Sequence, residues 1–97
     1  VSAYVVAMIE VNDLEGYKAY AARAPEAVAR HGGRYLVRGA SPEVKEGSWE
    51  VQRLVILEFP DVEAANRFYH SPEYQEIVPL RQAASKGAVA ILPGFAG

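Results

Sequence analysis

Two charged side chains stand inside runs that otherwise read as buried strand: Arg38, closing Arg34 to Arg38, and Glu58, within Arg53 to Phe59. A charge taken out of water is costly unless it is paired or used. Used, Arg38 binds a carboxylate or enolate and Glu58 serves as acid or base with a shifted pKa. Paired, they form structural ion pairs with Glu10, Arg34, Arg53 or a charge of a second subunit. The topology derived below brings Glu10, Arg38 and Arg53 to one edge of the sheet. A structural cluster is the simpler reading there, and a catalytic one the alternative. Glu58, at the far end of its strand, is no partner for Arg38 within one chain.

Tyr17, Tyr20, Tyr69 and Tyr74 recur at helical spacing on stripes that face inward, where phenols would line any cavity between helices and sheet. Such a stripe is more often core than site, yet a buried phenol needs a hydrogen-bond partner, which Arg38, Glu58 or a ligand could supply to Tyr20, Tyr69 and Tyr74. Arg81 either closes the same cavity or ends its helix in solvent, and the second reading is the simpler. His31 precedes Gly32-Gly33 at a helix end, where a protonated imidazole suits the helix dipole. Capping is its expected role. His70 and Glu73 are three apart, but Ser71-Pro72 separates them, and two histidines with no cysteine argue against a metal. Gly32-Gly33 lacks the strand-before, helix-after setting of a phosphate loop.

These residues are carried by six segments in the order βαββαβ. Tyr4 to Val11 is apolar on both alternating sets except at Glu10, as in a strand buried on both faces. Asn12 with Glu15 predicts a helix start, and Pro25 is expected to kink or restart that helix before the glycines end it. Arg34 to Arg38 is the second strand. Gly39 to Gln52 is a long hairpin arm in which Val44 extends the strand and Gly47 turns the chain, leaving Trp49 near the tip or folded back over apolar surface. Arg53 to Phe59 is the third strand, again apolar on both faces apart from Glu58 at its far end. Asp61 caps a second helical stretch, which Ser71-Pro72-Glu73 breaks and restarts. Lys86-Gly87 stops it and Ala88 to Leu92 forms the last strand.

The 97 residues form one domain, 1–97, of ordinary globular composition, with 51% hydrophobic and 23% charged residues. Without cysteine there is no disulfide and no thiolate nucleophile. A net charge of -2 with scattered basic residues provides no footprint for nucleic acid. No apolar run spans a bilayer and no signal-peptide pattern opens the chain, so the cytoplasm is the default location. The order βαββαβ is the ferredoxin-like pattern, with strand order 4-1-3-2 and both helices on one face. Strands apolar on both sides would leave the other face as a patch larger than monomers tolerate. A homodimer packed sheet to sheet about a two-fold axis follows, and the arm from 39 to 52 is too small to replace a second subunit.

Three blocks, His31-Gly32-Gly33-Arg34-Tyr35-Leu36-Val37-Arg38-Gly39, Arg53-Leu54-Val55-Ile56-Leu57-Glu58-Phe59-Pro60 and Phe68-Tyr69-His70-Ser71-Pro72-Glu73-Tyr74, resemble the domain-of-unknown-function 1330 family. The resemblance implies the dimeric α/β barrel fold and little about chemistry. That superfamily includes cofactor-free monooxygenases, lactone isomerases, haem enzymes and ligand-sensing domains. Ala40 after Gly39, and Pro79 within a helical stretch, depart from the family pattern. The reading reached is a homodimer that binds or transforms a small acidic or enolisable metabolite without metal or cofactor. A non-catalytic binding or dimerisation module is the alternative, and a haem enzyme using His31 or His70 the remoter one. Arg38 and Glu58 are the catalytic candidates, with Tyr20, His31, Tyr69, Tyr74 and Arg81 as pocket residues.

Overall fold

The computed structural model describes residues 1–96. Its elements are β1 (Ala3–Val11), α1 (Leu14–Arg30), β2 (Arg34–Arg38), β3 (Arg53–Phe59), α2 (Val62–His70), α3 (Pro72–Ala84) and β4 (Ser85–Pro93). The sheet is antiparallel in the order β2-β3-β1-β4, the expected ferredoxin-like arrangement. α1 packs along α3, and the second helical stretch is divided as expected at Ser71. There Ser71 Oγ accepts from the Tyr74 amide at 3.2 Å while Pro72 opens the helix.

Local expectations are corrected at four places. α3 already ends at Ala84 and β4 runs from Ser85 to Pro93, so Lys86-Gly87 lies within the strand, paired with Glu10 and Ile9, and does not stop the helix. Asp13, not Asn12, caps α1, its carboxylate accepting from the Gly16 amide at 3.2 Å. The amides of Asn12 and Asp13 both donate to the Ala84 carbonyl, at 2.9 and 3.0 Å, so this turn is fixed to the end of α3. α1 runs unbroken through Pro25, and α3 likewise contains Pro79. The carbonyl that the missing Pro25 amide would have bonded is that of Ala21, and Arg38 Nη2 donates to it instead at 3.0 Å. Val44 does not extend β2: residues 40–52 carry no regular structure, and Val44 and Trp49 are each nearly half exposed.

The pleat divides each strand between two faces. Val5, Leu57 and Phe59 point toward the helices and join Val28, Phe68 and Ile77 in the core, where the Phe59 and Phe68 rings stack at 5.1 Å. Gly33 closes over this core, since a Cβ there would lie 2.5 Å from the Phe59 ring. In β2, Tyr35 pairs with Leu57, Val37 with Ile56 and Arg38 with Val55, so Leu36 is an extra residue that shifts the register. The bulge puts Tyr35 and Arg38, three residues apart, opposite residues of the same inward set. A regular strand would send them to opposite faces.

The outward face is as apolar as the sequence predicts. Val37, Ile56, Val6 and Ala90 lie in one row across all four strands, and Leu54, Met8 and Ala88 in another. Met8, Leu36 and Leu92 are 44%, 44% and 47% exposed. Ion pairs flank the rows, Arg34–Glu58 at 2.7 Å on one side and Lys86–Glu10 at 3.4 Å on the other.

Candidate functional site: an arginine and tyrosine cavity

Between α1, α3 and the inward face of the sheet lies a cavity of about 50 Å3, measured to the centres of water-sized spheres. Its apolar wall is made by Val5, Val28, Leu57, Phe68 and Val89, and its polar part by Arg38, Arg53 and Arg81 with Tyr17, Tyr20, Tyr35 and Tyr74. Each arginine reaches it by a different local device. The bulge in β2 turns Arg38 inward; Arg53 belongs to the inward set of β3; Arg81 projects from α3. Gly39, at φ +77°, makes room for Arg53, whose guanidinium would lie 2.5 Å from a Cβ at that position.

Each guanidinium sits over a phenol ring: Arg38 over Tyr35 at 4.7 Å, Arg53 over Tyr17 at 5.1 Å and Arg81 over Tyr20 at 5.7 Å. None of the described residues lining the cavity is acidic, and none of the three arginines has a carboxylate within ion-pair distance among the described residues. Three cations therefore share a partly enclosed space without a counter-ion from the described residues. Arg81 is 9% exposed, and its Nε is a fully buried nitrogen with no hydrogen-bond partner. A buried donor left unsatisfied costs about 1–3 kcal/mol, and more when charged.

Beside it the phenol oxygens of Tyr20 and Tyr74 are 2.6 Å apart. Burial, reinforced by Tyr74, pushes the Tyr20 phenol far above the ordinary tyrosine range. Tyr17 and Tyr35 are also raised, because burial outweighs the lowering effect of the nearby arginines. Burial opposes the Arg81 charge, but the oxygens of Tyr74 and Tyr20 more than offset it and raise the pKa. The described lining thus offers N–H and O–H donors and the acceptor lone pairs of its phenols, with no carboxylate or imidazole among them.

The remaining candidates lie elsewhere. Glu58 is on the outward face, where Arg34 and the Tyr4 hydroxyl bond its two oxygens at 2.7 and 3.3 Å. The hydrogen bond from Arg34 is the main reason its pKa is below the ordinary carboxylate range. His31 caps α1 and its Nε2 meets Glu73 Oε1 at 2.9 Å, outside the cavity, with its ring edge toward Phe68. Glu73 is lowered first by its own backbone amide and then by His31. Tyr69 packs beside His70 and Tyr74 without lining the cavity. Glu10 pairs with Lys86, so the expected Glu10–Arg38–Arg53 cluster does not form: Glu10 and Arg53 face opposite ways. The structure brings Arg38, Tyr20, Tyr74 and Arg81 together, and adds Arg53, Tyr35 and Tyr17. Arg53 shares the parity of Leu57 and Phe59, a signal present in the sequence; the bulge that joins Tyr35 to Arg38 has none. Among the described residues no group of three or more metal-ligating side chains converges.

A family model for a domain of unknown function, DUF1330, matches residues 2–95. The chain belongs to the DUF1330 family. Among solved structures it is similar to the RPA0582 protein of unknown function from Rhodopseudomonas palustris, with TM-score 0.76 and 20% identity over 99% of this chain and 84% of that one. A dimeric ferredoxin-like protein of unknown function from Jannaschia superposes with TM-score 0.70 and 15% identity, covering 99% of this chain and all of that one (100%). The cofactor-independent oxygenase SnoaB of Streptomyces nogalater gives TM-score 0.66 and 14% identity over 99% and 95% of the two chains. At these identities the likeness is one of fold. A search of curated proteins returned no match. No described helix of this DUF1330 domain is long and apolar enough to cross a membrane.

Proposed function

We propose that this DUF1330 domain is a homodimer in which each subunit binds a small organic anion, with an apolar body, in the arginine and tyrosine cavity. The observation that carries the reading is the composition of that cavity: three guanidiniums and four phenols, apolar walls, and no acidic side chain among the described lining residues. A donor-rich pocket with apolar walls favours ligands that bring acceptors and negative charge. Dimerisation rests on the outward face, whose apolar rows between two flanking ion pairs suit a second copy of the same sheet. A structural neighbour described as dimeric supports it.

The cavity also limits the chemistry. With no carboxylate or imidazole among its described lining residues, these cannot take a proton from a neutral carbon acid. An enolisable substrate would have to enter already ionised, after which the arginines and phenols would stabilise its oxyanion. Cofactor-free oxygenation, the activity stated for SnoaB, is open only to such a substrate here. Binding alone needs no such condition and is the better-supported reading.

Native mass spectrometry of gently purified protein tests both halves. The expected spectrum is a dimer that retains small acids or takes up added carboxylates in preference to the matching amides. A monomer would refute the assembly, and equal uptake of acids and amides would refute the anion site.

A further inference from the structure

The donors at one end of the cavity are left over in a specific way. Tyr20 and Tyr74 share one hydrogen bond at 2.6 Å, which uses one phenol proton and leaves the other without a protein acceptor among the described residues. Arg81, being a guanidinium, has donors only, and its Nε is buried without a partner. Arg81 lies over the Tyr20 ring, and Arg81, Tyr20 and Tyr74 all line the cavity. Arg38 differs: it already donates to the Ala21 carbonyl and is exposed at its strand end.

Building on the anion reading above, we infer that this inner end is a seat for one planar carboxylate. Arg81 donates through Nε and an adjacent Nη to its oxygens, and the free proton of the Tyr20–Tyr74 pair donates to one of them. The ligand's apolar body then lies along Phe68, Leu57 and Val28, and Arg38 and Arg53 supply longer-range positive potential without setting its orientation. The substrate class is therefore a compact monocarboxylic acid with a branched or aromatic body, bound acid-first. The in-plane fork makes Arg81 distinct from a simple positive charge, which lysine could replace.

The side-chain Nε–H resonances of 15N-labelled wild-type protein test the seat, with benzoate and isobutyrate as probes and benzamide as the neutral control. Arg81→Lys assigns the Arg81 signal. The expected result is a saturable downfield shift of the Arg81 Nε–H with either acid and none with benzamide, together with an affinity reduced about tenfold or more in Arg81→Lys. Tyr74→Phe, which removes one donor and little volume, should weaken binding by a smaller factor and guards against misfolding of the lysine variant. If the acids shift Arg38 and Arg53 while Arg81 stays unmoved, the seat is wrong and the anion cavity stands. If neither acid at millimolar concentration moves any cavity resonance, the anion reading and the seat fall together.

Discussion

Ile56 is the residue on which the dimer reading can be broken most cleanly. It occupies the middle of the outward face, paired across β1 with Val6 and across β2 with Val37, and is only partly covered within one subunit. In a sheet-to-sheet dimer it would be fully buried, twice, because a two-fold axis repeats every contact. Ile56→Asp removes about half of a full apolar burial, about 1 kcal/mol, and obliges a short carboxylate that cannot reach the rim to lose water, about 2 kcal/mol more. Two copies give about 6 kcal/mol, or about four orders of magnitude in the dimer Kd. Sedimentation equilibrium between micromolar and hundred-micromolar protein should find wild type dimeric and the variant monomeric, with near-native circular dichroism in both. Val62→Asp, at an exposed site on α2 in the helix layer, should leave the dimer intact. A folded Ile56→Asp variant that dimerises as tightly as wild type, or a monomeric wild type, would refute the reasoning.

Other perturbations follow from the same geometry. Phe68→Ala removes a fully buried ring stacked on Phe59 and set 4.3 Å from Tyr74, and should lower unfolding free energy by about 3–5 kcal/mol in chemical denaturation. Gly39→Ala forces a side chain into φ +77° and against the Arg53 guanidinium; a loss of about 1–3 kcal/mol is expected, with weaker carboxylate binding as Arg53 leaves Tyr17. Glu58 has a folded-state pKa below its unfolded value, so its contribution is complete above the ordinary glutamate pKa of about 4.3 and fades as pH falls through the lower folded value. Glu58→Gln should therefore make the acid limb of a melting temperature against pH curve shallower, with little change in slope above neutrality; an unchanged acid limb would show that Arg34 does not hold this carboxylate.

The architecture was largely legible because the apolar runs are long and differ in period. Tyr4 to Val11 and Arg53 to Phe59 read as doubly apolar strands, and both pair as expected at the centre of the sheet. Caps were less legible: Asn12 and Asp13 are both competent, and the choice falls to Asp13 through its bond to Gly16. The site was legible by residue type and not by direction. Glu58 attracted notice as a charge in a buried run, but parity places it with Leu54 and Ile56, opposite Leu57. Arg81 read as a solvated helix end because its partners, Tyr20 and Tyr74, are 54 residues apart and meet only when α1 packs on α3.

Three departures from regular structure act together on the polar end of the cavity. Leu36 bulges β2, so Arg38 turns toward the helices. Pro25 leaves the Ala21 carbonyl without its helical donor, and Arg38 fills that vacancy at 3.0 Å, joining the end of β2 to α1. Gly39, directly after Arg38, takes a positive φ and lets the Arg53 side chain pass. Each alone would read as a local irregularity that weakens its element. Jointly they hold two guanidiniums over Tyr35 and Tyr17 and leave a third, Arg81, deeper and unpaired. An ion-pair network serving only stability would recruit carboxylates, and Glu10, Glu58 and Glu73 are all in the chain; each is instead bonded outside this space, to Lys86, Arg34 and His31 respectively. The positive charge of the cavity is thus kept apart from these three acids, from Glu10 and Glu58 by the pleat and from Glu73 by its bond to His31, which leaves it to be matched from solution.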